Sequence, residues 1–352
     1  MLSSLNDTIL MYSVYRKSSV LSITERTLFS QRSRRTLENV LDGCDYDCYN
    51  KIDILYFGKV GLTMEFSLNA DYLKRTREPN VLRTPEECLR ICREAGFQTV
   101  AYFPDFTKDT WETEVNGAAE ASSAFGMKID QVHAAYNFYA HKPLEVFEEQ
   151  LKRSVEGAKR MGATYLVFHG DEYHPKRGEP YDAELALKTV YEIFAPHIEN
   201  TLKNGIIPVF ENAFEDHHRV PPTERSHFCG ELPELIAVLE RFNDPRIGCC
   251  WDFGHGKLAM ETDERHAEAI RTMGKRIACT HIHDNYYKKD LHLPPFMGEA
   301  NWELLMKALK DIDYRGNLTF EIGYSTLDDR LVSSFMENIY KTAEILKEMM
   351  DR

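Results

Sequence analysis

The segment IIPVFEN, residues 206–212, shows the pattern that decides the fold of this chain. It is a short apolar run, and it ends on a carboxylate, Glu211, and an amide, Asn212. It follows Gly205, and before that glycine lies Asp182–Lys203, whose apolar residues recur at spacings of three and four. This order predicts an amphipathic helix, a glycine that ends it, and a buried strand with a polar carboxyl end.

The same unit recurs along the chain from Leu62 onward. Eight strand-like runs are present: Leu62–Leu68, Gln98–Pro104, Lys128–Ala134, Thr164–Gly170, Ile206–Asn212, Ile247–Phe253, Ile277–Asp284 and Asn317–Gly323. Between them lie helix-like segments: one that begins at Thr84-Pro85, then Pro143–Met161, Asp182–Lys203, Leu232–Arg241, Asp263–Met273, Asn301–Leu309 and Leu331–Met350. Further glycines, Gly96, Gly126 and Gly162, stand where helices should end. Regular alternation of strands and helices predicts a parallel sheet covered by helices.

The number of units favours an α/β fold of the (β/α)₈ type, a TIM barrel, over residues 61–352. Eight strand–helix units in a segment of this length are typical of such a barrel. A doubly wound open sheet is the alternative, and it would require a glycine-rich phosphate-binding turn after its first strand. Asn69-Ala70-Asp71 stands at that place and is not such a turn. We therefore expect a barrel.

Residues 1–60 differ in character from the rest of the chain. They mix serine, arginine and scattered apolar residues without a clear period, and they lack the pattern of a secretory signal. We expect a poorly ordered N-terminal extension, because a segment with weak apolar patterning rarely folds alone. A contact arm for a partner is the alternative.

Composition narrows the class of protein. The formal net charge is −13, from 56 acidic and 43 basic residues, which disfavours a nucleic-acid partner. No run approaches the about 18 apolar residues of a membrane span. Eight cysteines occur without a CxxC pair, which indicates a reducing compartment. We expect a cytoplasmic protein with no membrane contact.

Ionisable residues stand at the ends of six consecutive predicted strands. Strands three to eight finish in this order with His133, His169, Glu211, Asp252, His281 and Glu321. The carboxyl ends of barrel strands converge on one mouth, where active sites of this fold lie. Carboxylates and imidazoles gathered there need a shared partner, and a divalent cation is the simplest one. The sequence therefore predicts a metal site at this mouth.

The chain resembles the xylose isomerase-like barrel superfamily in four motifs. That superfamily contains sugar isomerases and epimerases together with endonuclease IV-type enzymes. The motifs are FEN at 210–212, WDFGH at 251–255, HIHD at 281–284 and FEIG at 320–323. The resemblance implies that Glu211, Asp252, His281 and Glu321 hold the metal. His283 shares a strand face with His281 and is the alternative imidazole ligand. Mn²⁺ is the first choice of cofactor, with Mg²⁺, Co²⁺ or Zn²⁺ as alternatives.

The resemblance also implies a reaction. In the isomerase and epimerase branch, the two residues corresponding to Glu211 and Glu321 form the acid–base pair on a sugar or sugar phosphate. Proton abstraction beside a carbonyl gives a cis-enediolate, and the proton returns to the other face or to the neighbouring carbon. The remaining polar residues of the mouth would then bind the small-molecule sugar: His133, His169, His255, His283, Asp290 and His292. Barrels of this kind commonly associate, so a homo-oligomer is possible.

An endonuclease IV-type zinc phosphodiesterase acting on abasic DNA is the first alternative. Those enzymes bind three zinc ions, and their additional ligands find matches in His133, His169, His255, Asp290 and His292. Two observations favour the sugar branch. The net charge is acidic, and residues 134–139 depart from the pattern expected of the DNA-cleaving enzymes. Lyases or dehydratases that cleave oxidised sugars, C-glycosides included, would share the first proton transfer. A non-catalytic binding module is the last alternative.

Overall fold

The computed structural model describes residues 64–78, 81–137, 142–170, 180–215, 227–324 and 327–352. All of them belong to one compact unit, Leu62–Arg352. The prediction of a poorly ordered extension over residues 1–60 falls outside the described residues.

Eight parallel strands form the predicted barrel. In chain order they are β1 (Phe66–Asn69), β2 (Thr99–Ala101), β3 (Lys128–His133), β4 (Tyr165–His169), β5 (Ile207–Glu211), β6 (Gly248–Asp252), β7 (Ile277–His281) and β10 (Leu318–Phe320). Strands β1 to β7 pair in chain order, and β10 pairs with β1. A parallel bridge between Ile282 and Phe320 joins the β7 side of the sheet to β10 and closes the ring. The (β/α)₈ prediction is confirmed.

Helices follow the strands around the barrel. They are α1 (Pro85–Glu94), α2 (Trp111–Phe125), α3 (Leu144–Arg160), α4 (Ala183–Lys203), α5 (Leu232–Phe242), α6 (Phe253–Ala259), α7 (Asp263–Met273), α8 (Trp302–Asp311) and α9 (Val332–Asp351). The capping box predicted at Thr84 is present, with Glu87 as its carboxylate partner. Within the described ranges, no helix has the length and apolar content that a membrane span requires.

Two elements near the mouth were not predicted. The predicted strand Ile277–Asp284 ends as a barrel strand at His281, and Asp284 begins a separate antiparallel hairpin of β8 (Asp284–Tyr286) and β9 (Lys289–Leu293). The short helix α6 directly follows Asp252. The hairpin has only a short alternation to reveal it, since polar and apolar residues alternate over Asp290–Leu293 alone and Asp284–Tyr286 has no apolar pattern.

The side chains of β5 show how the core positions the mouth. Phe210 is fully buried, and its ring lies 5.9 Å from that of Phe194 in α4. Burial of such a side chain contributes about 1.5–3 kcal/mol to stability. Because alternate residues of a strand face opposite sides, packing of Phe210 against the helix layer turns Glu211 into the barrel interior. The register of the strand thus fixes the direction of the carboxylate.

Candidate functional site

The predicted site residues meet at the carboxyl ends of the strands. The last residues of β3 to β7 are, in order, His133, His169, Glu211, Asp252 and His281. Glu321 directly follows β10. His133, Glu211, Asp252, His281 and Glu321 are all buried. Five adjacent strand ends and the closing strand therefore enclose one set of ionisable side chains.

Glu211 lies among four imidazoles. Its Oε2 is 3.0 Å from Nε2 of His133 and 3.6 Å from Nε2 of His169. Its Oε1 is 3.1 Å from Nδ1 of His255 and 3.4 Å from Nδ1 of His281. Burial alone would raise the pKa of this carboxyl, but the surrounding imidazoles outweigh it and hold the pKa well below its usual range. Glu211 is thus a carboxylate rather than a neutral acid.

His281 faces three carboxylates through one nitrogen. Its Nδ1 lies 2.9 Å from Oε2 of Glu321, 3.4 Å from Oε1 of Glu211 and 3.8 Å from Oδ2 of Asp252. Burial opposes protonation of this ring, yet the carboxylates of Glu321 and Glu211 prevail and raise its pKa well above the usual value. The other ring nitrogen, Nε2, is 3.0 Å from Oε1 of Gln131.

The Nδ1 atom of His281 provides a test of whether a cation fits this site. Nδ1 of His281 is buried and, among the described residues, has no partner in hydrogen-bond geometry despite the close carboxylates. Oxygen and nitrogen atoms around a metal approach one another in this way without bonding directly, because each is directed at the ion. The donor set of one imidazole and three carboxylates, from Glu211, Asp252 and Glu321, suits a divalent metal such as Mn²⁺, Co²⁺ or Zn²⁺.

Asp252 is held by groups on both sides. Its Oδ1 accepts a hydrogen bond of 2.6 Å from the backbone N–H of His255, which caps the start of α6. Nε2 of His283 lies 3.0 Å from Oδ1 and 3.1 Å from Oδ2. The amide side chain of Asn212 bonds the backbone N–H and C=O of Asp252 at 2.7 and 2.9 Å. His283 therefore contacts a single carboxylate of the predicted ligand set, which favours His281 as the imidazole ligand.

A further group of side chains surrounds Asp290 on the hairpin. Oδ2 of Asp290 is 3.2 Å from Nε2 of His292 and 3.9 Å from Nε2 of His255, and Oδ1 is 3.9 Å from Nδ1 of His283. The rings of His283 and His292 stack with centroids 4.1 Å apart. Burial would lower the pKa of His292, but Asp290 raises it to about 9. In return, His292 and its neighbours lower the pKa of Asp290 against the effect of burial.

The hairpin that carries Asp290 and His292 is anchored by Asp284. The buried carboxylate of Asp284 accepts hydrogen bonds from the backbone of Phe296 and Ala300 and from Nε1 of Trp302, at 3.2, 3.1 and 2.9 Å. His292 adopts a φ of 48°, a left-handed conformation that costs energy for a residue with a Cβ. His292 itself is held at the end of β10: its backbone carbonyl accepts a hydrogen bond of 3.0 Å from the N–H of Gly323, and its Nδ1 lies 3.0 Å from the carbonyl oxygen of Glu321.

The described residues contain three groups of side chains with ligand atoms within 4.8 Å of one another. The first contains His133, Glu211, His281 and Glu321; the second contains Asp252, His255 and His283; the third contains His283, Asp290 and His292. The four predicted ligands are thus divided between the first two groups, and the 3.8 Å approach of Asp252 to His281 links them. Every predicted site residue lies in, or in contact with, one of these groups; their roles stay predictions.

Sequence reasoning missed Tyr72 and Gln131, whose side chains contact the side chains of predicted ligands. Tyr72 follows β1, and its hydroxyl donates a hydrogen bond of 2.7 Å to Oε1 of Glu321. Gln131 lies two residues before the end of β3 and contacts His281 across the barrel. Alternation places Gln131 on the same face as His133, which was the available signal. Tyr72 carried no signal, because a turn after a strand does not reveal which way its side chains point.

Comparison with known proteins gives one family and several similar structures. The family model described as "Xylose isomerase-like TIM barrel" matches residues 89–349. The uncharacterized protein y4fM of Sinorhizobium fredii is 25% identical over 299 residues, which cover 74% of this chain and 88% of that protein. A D-tagatose 3-epimerase-like protein has a TM-score of 0.62 at 20% identity, with 81% of this chain and 99% of that one covered. The 3-keto-D-glucoside 4-epimerase of E. coli has a TM-score of 0.61 at 14% identity, with 80% and 99% covered.

Proposed function

Since this chain belongs to the xylose isomerase-like TIM barrel family, we propose that it is a metal-dependent sugar isomerase or epimerase. The observation that carries the proposal is the buried Nδ1 of His281, which faces carboxylates of Glu211, Asp252 and Glu321 without a hydrogen bond to any of them. Such a nitrogen and such carboxylates are mutually satisfied by a cation.

Glu211, Asp252, His281 and Glu321 would hold the metal, with Mn²⁺ as the first choice and Mg²⁺, Co²⁺ or Zn²⁺ as alternatives. A bound divalent cation polarises a sugar carbonyl and thereby acidifies the adjacent C–H. The metal suits this reaction because a carboxylate alone is too weak a base for an unactivated C–H.

Glu211 and Glu321 are the proposed acid–base pair. They come from β5 and from the end of β10, and both approach Nδ1 of His281, at 3.4 and 2.9 Å. Their low pKa values keep both ionised. One carboxylate removes the proton beside the carbonyl, becomes a carboxylic acid and leaves a cis-enediolate. In an isomerase that carboxylic acid would return the proton to the neighbouring carbon. In an epimerase the other carboxylate would first take a proton from solvent and then deliver it to the opposite face.

The surrounding polar residues would bind the hydroxyl groups of the sugar: His133, His169, His255, His283, Asp290 and His292. His255 illustrates the arrangement. Its Nδ1 lies 2.9 Å from the backbone carbonyl oxygen of Asn212 and therefore donates a hydrogen bond to it. Its Nε2 faces Asp290, whose Oδ2 is 3.9 Å away. The D-tagatose 3-epimerase-like protein and the 3-keto-D-glucoside 4-epimerase named above support a sugar as the class of substrate.

Metal content and proton exchange test this proposal together. The chain is purified without chelator, its metals are counted by elemental analysis, and a panel of ketoses is incubated with it in D₂O. We expect about one Mn, Co or Zn per chain and deuterium at the carbon beside the carbonyl. Glu211→Gln should lose both metal and exchange, whereas Glu94→Gln on the surface of α1 should lose neither. The proposal would be contradicted if the purified protein contained no metal, or if deuterium exchange persisted in Glu211→Gln.

A hydrolytic zinc cluster is the second candidate function, and the imidazoles around Asp290 are the observation that favours it. Two or three zinc ions per chain, together with cleavage of abasic DNA, would replace the sugar proposal. A lyase or dehydratase would show the same deuterium exchange but a product with a new double bond or a cleaved glycoside. NMR of the reaction mixture distinguishes that product from an epimer.

A further inference from the structure

Gln131 reaches across the inside of the barrel from β3 to β7. It is fully buried, and its Oε1 lies 3.0 Å from Nε2 of His281. Its amide nitrogen lies 2.7 Å from Oγ1 of Thr319 and 3.4 Å from the backbone carbonyl of Thr280. A backbone carbonyl can only accept hydrogen bonds, so the amide nitrogen belongs on that side and the amide oxygen faces His281.

This orientation decides which nitrogen of His281 carries the proton. An amide oxygen can only accept, so Nε2 of His281 must donate to it. In a neutral imidazole the other nitrogen, Nδ1, then has a lone pair and no proton. Nδ1 is the atom that faces Glu321, Glu211 and Asp252 and that has no hydrogen-bond partner among the described residues.

We propose that Gln131 is a positioning residue that holds His281 with its proton on Nε2 and its Nδ1 lone pair directed at the metal. The proposal rests on the metal site of the proposed function. Without the amide acceptor, the proton could move to Nδ1, and a small rotation of the released ring would bring it into hydrogen-bond geometry with Oε2 of Glu321, which lies 2.9 Å from Nδ1. That hydrogen bond would satisfy imidazole and carboxylate together and compete with the cation for both.

Three variants separate this role from simple packing. Gln131→Met keeps a side chain of similar length but removes the acceptor. Gln131→Glu keeps an acceptor oxygen for Nε2. Ser67→Ala is the matched control, because Ser67 is also buried in the barrel but bonds Asp130 instead.

Calorimetric titration with Mn²⁺ gives the first readout. Loss of a residue that orients a histidine ligand typically weakens metal binding by about 10–100-fold. We expect a loss of this size in Gln131→Met, and affinity at or above that of the unaltered protein in Gln131→Glu and Ser67→Ala. Equal losses in Gln131→Met and Gln131→Glu would overturn the proposal, because packing alone would then explain both.

The second readout is which ring nitrogen of His281 carries the proton. Side-chain ¹⁵N NMR of histidine-labelled protein distinguishes the two nitrogens, and His281→Gln assigns the signal. Measured metal-free, at a pH at which the ¹⁵N shifts themselves identify a neutral ring, the unaltered protein and Gln131→Glu should carry the proton on Nε2. Gln131→Met should show it on Nδ1 or shared. A proton on Nδ1 in the unaltered protein, or no change in Gln131→Met, would overturn the proposal. This readout needs no sugar, so an inactive protein with the proton on Nε2 would reject the proposed function alone.

Discussion

The hydroxyl of Tyr72 lies 2.7 Å from Oε1 of Glu321, while the other oxygen of that carboxylate faces His281. The two oxygens of Glu321 thus have different partners. Tyr72 follows β1 and Glu321 follows β10, so the hydrogen bond spans the neighbouring ends of the first and last barrel strands. It fixes the carboxylate about its terminal torsion and leaves Oε2 directed at the proposed metal.

Tyr72→Phe should therefore lower the rate more than the stability. A hydrogen bond to a charged group contributes about 1.5–3 kcal/mol, which corresponds to a loss of about 10–100-fold in kcat/KM if it is needed in the transition state. Steady-state kinetics with a ketose found in the D₂O screen measures the effect. Tyr324→Phe is the control, because this buried tyrosine bonds Asn69 rather than a proposed ligand. An equal loss in both variants would show that Tyr72 has no special role.

Asp290→Asn distinguishes the two candidate functions. In a single-metal sugar enzyme, Asp290 orients His292 beside the substrate, so the variant should keep about one metal per chain and show a raised KM. In a hydrolytic cluster, Asp290 is itself a ligand, and the variant should lose one metal ion. Elemental analysis together with steady-state kinetics decides between the two functions, and we expect the metal content of Asp290→Asn to stay unchanged.

Gly254→Ala should displace His283. A Cβ at Gly254 would lie 1.8 Å from Cε1 of His283, which is buried and bonded to Asp252. Overpacking of this kind typically costs about 1–3 kcal/mol. Gly117→Ala in α2 is the matched control, since its nearest neighbour would be the Pro85 side chain at 3.3 Å. Thermal unfolding monitored by circular dichroism should show a clear drop in Tm for Gly254→Ala and little change for Gly117→Ala.

Asp130 should make stability depend on pH in a defined range. Burial raises the pKa of this carboxyl from 3.8 to about 6, partly opposed by hydrogen bonds from Asn317 and Ser67. The folded protein then holds the proton more tightly than the unfolded chain, so stability falls as pH rises from about 4 to about 6 and is constant above that. The full effect is up to about 3 kcal/mol.

Asp130→Asn removes this dependence. Its free energy of unfolding relative to the unaltered protein should rise between pH 4 and 6 and then level off. Urea unfolding at several pH values measures it, with the exposed Asp109→Asn as control. A difference that is constant over this range would mean that Asp130 does not hold its proton in the folded protein.

The barrel could be predicted because its signals are local. Gly96, Gly126, Gly162 and Gly205 all adopt positive φ, between 62° and 113°, as expected of residues that end helices. An apolar run that follows such a glycine predicts a buried strand. The strand ends could be predicted for the same reason, since each ionisable residue ends its own strand-like run.

The contacts between site residues could not be predicted in the same way. Tyr72 meets Glu321 across 249 residues of chain, and Gln131 meets His281 across 150. Such contacts depend on barrel closure and on side-chain direction in turns, and neither has a local pattern. The hairpin at Asp284–Leu293 was missed because its alternation is short, and because the Asp284 side chain that anchors it bonds Phe296 and Ala300 further along the chain.

The closure of the barrel has a consequence for folding. The pairing of Phe66 in β1 with Leu318 in β10 joins residues 252 positions apart, and beside it the backbone N–H of Glu65 donates to Oδ1 of Asn317 over the same separation. The bridge from Ile282 to Phe320 completes the ring on the other side. Contacts of such high contact order form slowly, because a long loop must close before they stabilise anything. Glu321 stands immediately after this last strand. A chain emerging from the ribosome would therefore have no complete set of the proposed ligands until its eighth barrel strand is in place, and the proposed cation affinity would then report on completed folding.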